Sequence, residues 1–328
     1  YFLFFPLVIF SQNNWQQHVE YFMDIDVDVS DFTFTGSQKI VYTNNSPDTI
    51  NKVYYHLFFN AFRPGSQMDL RSRTIQDPDR RVGNRIMGLE KKDFGGLRVE
   101  FLRQNKKEVS FSEEGTILKV ILNKPLLPGK KTELEMGFKG QVPLQIRRSG
   151  KLNKEGVHLT MTQWFPKLAE YDFEGWHPNP YIGREFHGVW GNYTVNITID
   201  KNYVVGGTGY LQNAKEIGHG YANKTKENDL NTLTWEFYAP NVHDFAWAAD
   251  PEYSHDVVTS ESGVDLHFFY KPSVNQKDWK KLQGDTLKLL EFFENNIGPY
   301  PWEQYSVIQG GDGGMEYAMC TMITGERP

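Results

Sequence analysis

Met23-Asp24-Ile25-Asp26-Val27-Asp28-Val29 is the stretch on which the fold turns. Apolar side chains alternate with carboxylates, which predicts an extended strand with one dry face and one wet face. The same period of two recurs in Phe32–Tyr42, Val53–Phe59, Ile117–Leu122, Tyr193–Ile199, Leu233–Phe237 and Val264–Tyr270. Turn clusters such as Asn44-Asn45-Ser46-Pro47, Leu127-Pro128-Gly129 and Gly206-Gly207 separate them. The pattern predicts a mainly β protein in which residues 13–271 form one large antiparallel domain.

Near residue 272 the grammar changes. Trp279, Leu282, Leu289, Leu290, Phe293 and Ile297 recur at helical spacing. Ser273 with Gln276 reads as a capping box before them, and Gly298-Pro299 closes the helix. Gly284 inside it costs about 1 kcal/mol relative to Ala, so the helix must be held by packing. A strand over Tyr305–Gln309 and then a glycine cluster follow. Residues 272–328 are therefore expected to begin an α/β domain. They are too few for an independent core of much stability, so the chain reads as cut at both ends.

The bulk numbers bound the function. A length of 328 residues accommodates two domains. A net charge of -6 argues against a nucleic-acid partner, which needs clustered Lys and Arg. The densest basic stretch, Arg63 to Arg85, is interleaved with Asp69, Asp77 and Asp79 and is expected to be a solvated loop. Cys320 is the only cysteine, which excludes an intrachain disulfide and a thiolate metal site; its apolar surroundings predict a buried small hydrophobe. Residues 1–10 are almost entirely apolar, too short to span a bilayer, and read as the remnant of a secretory signal over 1–12. On that reading the protein is exported, to a bacterial periplasm, cell envelope or medium, since the remaining chain carries no disulfide.

The chemistry concentrates in Gly310-Gly311-Asp312-Gly313-Gly314-Met315-Glu316-Tyr317-Ala318-Met319. A phosphate loop is excluded, because the Lys-Ser/Thr pair is absent and Glu316 stands where a dinucleotide fingerprint needs its last glycine. What remains is a strand, a flexible bend and one carboxylate. Gly313 and Gly314 leave main-chain groups open to an extended peptide, and Glu316 offers a fixed charge for an α-ammonium. An ordinary glycine turn is the other reading of the same residues.

Gly313-Gly314-Met315-Glu316-Tyr317 resembles the Gly-x-Met-Glu-Asn signature of the aminopeptidase N and leukotriene hydrolase family of zinc metallopeptidases. Thr162-Gln163-Trp164-Phe165-Pro166-Lys167, Glu170-Tyr171-Asp172, Gly175-Trp176-His177-Pro178 and the stretch from Phe186 through the strand Asn192–Ile199 resemble bacterial members. The resemblance implies a saddle-like β-sandwich followed by the start of a thermolysin-like catalytic domain. It implies that Glu316 holds the free N-terminal amine of a peptide substrate, that the main chain at Gly313 and Gly314, with Met315, lies along its first residues, and that Gln163 lines the first side-chain pocket. Two positions depart from the pattern: Tyr317 replaces the usual Asn, and Phe165 stands where many members carry an amide or carboxylate.

The family binds zinc through His-Glu-x-x-His and a later Glu. None of the nine histidines here is followed by Glu, and no two lie four apart. The resemblance places the zinc ligands and the water-activating Glu beyond Pro328, so this chain is expected to hold neither metal nor catalytic residue and to be silent alone. His177 and His187 lack a third ligand at metal-site spacing in the sequence and are expected to hydrogen-bond within the β-domain or at its contact with the next one. The aromatic stretch Trp164–Trp190 leaves open a second reading, a non-catalytic peptide- or glycan-binding module; a family member without its metal is a third.

Overall fold

The structure is a computed structural model that describes residues 15–75, 81–183, 187–223, 230–272 and 276–325. The signal-like segment 1–12, Ser273 of the capping box, Asp77 and Asp79 of the basic stretch and Phe186 lie outside the described residues.

The alternating stretch occupies the strand His18–Asp28, with Val19, Tyr21, Met23, Ile25 and Val27 buried and Asp24, Asp26 and Asp28 exposed. It lies inside an eight-stranded sheet. On one side it pairs antiparallel with Thr33–Thr43, beyond which come Lys131–Gln141 and Gly96–Gln104. On the other it pairs parallel with Gly191–Asp200, itself antiparallel to Thr232–Val242. The parallel pair departs from a purely antiparallel domain; such a pair needs a long crossover, and the intervening residues build further strands before the chain returns. Gly140 in Lys131–Gln141 has its reason here: the Phe34 ring lies across its backbone, where a Cβ would collide with it.

Two four-stranded sheets, with the two-stranded hairpin Tyr171–Asp172/Gly175–Trp176, complete this region. One runs Lys167–Leu168, Ile50–His56, Ile117–Leu126, Phe111–Glu114; the other runs Val204–Gly207, Trp247–Asp250, Leu159–Met161, Gly150–Lys151. One apolar cluster joins all three sheets, with Trp164, Trp235, Trp247, Tyr21 and Tyr193 fully buried. Tyr21 and Tyr193 stack at 4.5 Å, and Phe34 meets Trp164 edge-on at 6.0 Å. The strand expected over Val53–Phe59 ends at His56 and gives way to a 3-10 turn, Phe58–Ala61. The basic stretch also differs from a solvated loop. Part of it folds as the helix Gln67–Thr74, and Met68, Val82 and Ile86 pack with Phe58 and Phe62 in a satellite cluster.

A further sheet has five strands in the order Ser254–Thr259, Asp265–Tyr270, Gln304–Gln309, Cys320–Ile323, Met315–Tyr317. Asp265–Tyr270 and Gln304–Gln309 are parallel, and the helix Gln276–Asn296 crosses between them. Two strands that precede residue 272 thus hydrogen-bond into the same sheet as those that follow it. Ile297 N and Gly298 N both donate to Phe293 O, at 2.8 and 3.2 Å, and end the helix. Of its expected apolar stripe, Trp279 is fully buried against Tyr270. Leu282 and Leu290 are half-buried, whereas Leu289, Phe293 and Ile297 are exposed. Among the described residues no helix is long and apolar enough to cross a membrane.

Candidate functional site

The glycine cluster makes the bend that delivers Glu316. Gly310 N donates to Ile323 O at 2.9 Å, and Gly311 N reaches Thr160 Oγ1 of the large β region at 3.3 Å. Gly313 turns the chain at φ +92, a left-handed conformation that glycine adopts without strain. Around Gly314 there is open space. Met315–Tyr317 then forms the outermost strand of the five, paired among the described residues with Cys320–Ile323 alone. Its outer edge faces no other strand among the described residues, and a strand edge of this kind can accept an extended peptide.

Side chains on this edge strand follow its alternation: Glu316 is exposed, Met315 is half-buried and Tyr317 is buried. The Tyr317 ring reaches back to the β region, where Gln163 Nε2 donates to its hydroxyl at 3.2 Å. Gln163 Oε1 accepts from Thr162 Oγ1 at 2.8 Å, and Thr162 Oγ1 lies 2.6 Å from Ser149 Oγ. Burial pushes the Tyr317 hydroxyl well up, so it stays protonated near neutral pH. Gln163 takes φ +50, uncommon for a residue with a Cβ, and is held there by its amide bonds and by buried Trp164, whose Nε1 donates to Phe245 O at 3.0 Å. Gln163, Tyr317 and the strand carrying Glu316 are therefore brought together across the boundary between sheets. Phe165 is elsewhere, in the core against Tyr21 and Tyr193. Cys320 is fully buried beside this strand, and burial pushes its thiol up, so it is inert as a nucleophile.

Two groups of titratable residues lie away from this edge. The first is on the hairpin Tyr171–Asp172/Gly175–Trp176, where His177 Nε2 approaches Asp172 Oδ1 at 2.8 Å and His187 stacks on His177 at 5.2 Å. Sequence spacing did not disclose Asp172 as the third member; the hairpin supplies it. Burial opposes the charge on Asp172, but contact with His177 holds its carboxyl below the usual range. The neighbouring Glu170 carboxyl is pushed up to about 7 by burial. In the second group, His255 Nε2 meets His267 Nδ1 at 2.8 Å, and His255 Nδ1 bonds His219 O at 2.9 Å. Burial lowers these rings to about 4 and about 3.

No protein-family model matches the chain, and no curated protein matches it in sequence. Its fold is similar to that of solved zinc metallopeptidases. An M1 zinc metallopeptidase from Deinococcus radiodurans superposes with a TM-score of 0.55 at 14% identity, over 96% of this chain and 62% of that one. A variant of the peptidase from the same organism, bound to a Tyr-Ser-Ala substrate, gives 0.57 at 15% identity over 95% and 60%. A two-domain M1 zinc metallopeptidase variant bound to L-tryptophan gives 0.57 at 14% over 96% and 62%. The chain thus spans about three fifths of the length of each of these structures. At this identity the likeness establishes the fold, a β-sandwich region like the N-terminal one of these peptidases.

Proposed function

We propose that the chain is the N-terminal part of a zinc aminopeptidase, with residues 272–328 opening its catalytic domain and Glu316 anchoring the free α-amine of a peptide. The observation that carries this reading is the exposed Glu316 on an open edge strand whose next residue, Tyr317, is bonded to Gln163. An extended peptide adding to that edge pairs its main chain with Met315–Tyr317. Its ammonium then meets the carboxylate, since a charge leaving water needs such a partner. Peptides whose N-terminus is acetylated lose that pairing. The similar structures bound to an amino acid and to a tripeptide agree with a peptide ligand.

Zinc belongs to this reading, but the residues present do not fit it. None of the nine histidines begins His-Glu-x-x-His, and no step of hydrolysis is derived from this chain. Its own contribution is binding and orientation, which can supply several kcal/mol of the barrier. The reading also carries export, from the apolar start of the sequence.

The test is Glu316→Ala in the complete polypeptide. Aminopeptidase kcat/KM should fall about 100-fold or more, the scale of a lost transition-state contact, with zinc content unchanged. Turnover close to that of the parent sinks the assignment.

A further inference from the structure

The hairpin Tyr171–Asp172/Gly175–Trp176 sorts its side chains by the strand period. Tyr171 lies opposite Trp176, and their rings meet at 5.1 Å on one face. His177 N donates to Glu170 O at 2.9 Å, so His177 takes the next rung, on the opposite face together with Asp172. Glu174 N donates to Asp172 Oδ1 at 2.8 Å and fixes the carboxylate. His187, from a separate segment of the chain, stacks on His177 with ring planes 29° apart. The result is a carboxylate and two imidazoles whose ligand atoms all lie within 4.8 Å of one another.

A simple ion pair does not account for this group. Asp172 needs one cationic partner, yet two imidazoles are crowded beside it, and two imidazolium rings in stacking contact repel. His177 Nε2 is 2.8 Å from Asp172 Oδ1 but makes no well-aligned hydrogen bond among the described residues. The three potential ligand atoms already lie within 4.8 Å of one another, and metal binding would take the imidazoles in their neutral form. Three donors about 2.0–2.2 Å from one ion sit roughly 3–3.5 Å apart, a contraction that side-chain rotation can supply.

We propose that Asp172, His177 and His187 bind a divalent cation of borderline character, such as zinc, with water completing its coordination. The ion fastens the hairpin to the segment that carries His187, whose next residue, Gly188, lies against Lys167 of the buried Lys167–Asp244 ion pair. This site is separate from the zinc of the peptidase reading, whose ligand pattern the chain lacks, and it stands or falls without that reading.

The tag-free 328-residue chain, stripped with a chelator and titrated with zinc against a competing indicator, should take up one equivalent. Its zinc absorption spectrum should show imidazole scattering. His187→Gln, at an exposed position, and His177→Gln should each weaken uptake by more than about tenfold, at least the scale of losing a supporting group. Far-UV circular dichroism should show the His187→Gln fold intact. Failure to take up a stoichiometric ion, or uptake unchanged in the variant lacking both imidazoles, overturns the site.

Discussion

The three-sheet region and the five-stranded region bury their apolar residues very differently. In the first, Trp164, Trp235 and Trp247 vanish into a cluster shared by its sheets, to which the five-stranded sheet adds Phe269, Ile308 and Met322 from one face. In the second, a helix of 21 residues buries Trp279 fully, while Leu289, Phe292, Phe293 and Ile297 stay in water. Leu289, Phe293 and Ile297 border a groove of about 400 Å³ that Pro299, Tyr300 and Tyr305 also line. Sheets facing one another cover each other's inner faces, whereas one helix on one sheet covers only one stripe of itself. Stability therefore sits mainly in the first region, while the second carries the candidate binding edge and depends on its seams to the first.

That contrast can be broken at three points. Trp164→Ala should cost about 3–5 kcal/mol, the range for a large aromatic removed from a close-packed core, measured as the shift in denaturant unfolding. A cost below 1 kcal/mol means the first region is not the stable one. The next test lies at the histidine pair. Both rings titrate lower when folded than the ordinary 6.5, so the unfolded chain takes up protons first. Their stabilisation is complete above about pH 6.5 and is lost as pH falls toward 4. His267→Gln should reduce the excess protons bound on unfolding in that window by about one, read from melting temperature against pH; an unchanged slope shows the pair is not buried neutral. The smallest effect is expected from Phe293→Ser, within about 0.5 kcal/mol, because an exposed side chain gives up little on truncation. A large loss would mean that the helix stripe is covered in solution.

The parts of the fold that could be read in advance share a cause. Met23 to Asp28 declared its strand because one face is dry and the other wet, so polarity recorded the geometry residue by residue, and only Val29 of the alternating stretch falls in the turn beyond. Leu289 and Phe293 differ for the converse reason: they keep the helical period yet stay exposed over an open groove beside the sheet, and periodicity fixes an element's type but not which stripe is covered. Phe58 and Phe59, fully apolar in a run, read as strand when they form a buried turn, since continuous burial carries no period. At the candidate site, Glu316 and Gln163 were singled out by resemblance, and Glu316 by chemistry as well. The bond from Tyr317 to Gln163 was not legible, because it joins residues 154 apart and depends on how two sheets meet. Asp172, His177 and His187 converge for a similar reason, through a hairpin turn and a returning segment.

The parallel pairing of His18–Asp28 with Gly191–Asp200 bears on how the chain folds during synthesis. A ribosome delivering residues in order presents the first strand long before its neighbour exists. Until Gly191–Asp200 emerges, that strand has an open side, and open sides recruit other chains. Asp24, Asp26 and Asp28 line the solvent face of the waiting strand, where their like charges resist such capture. Closure over so long a separation is slow, since its loop entropy is lost before its contacts form. The carboxylates that betray the strand in the sequence thus also guard it while it waits.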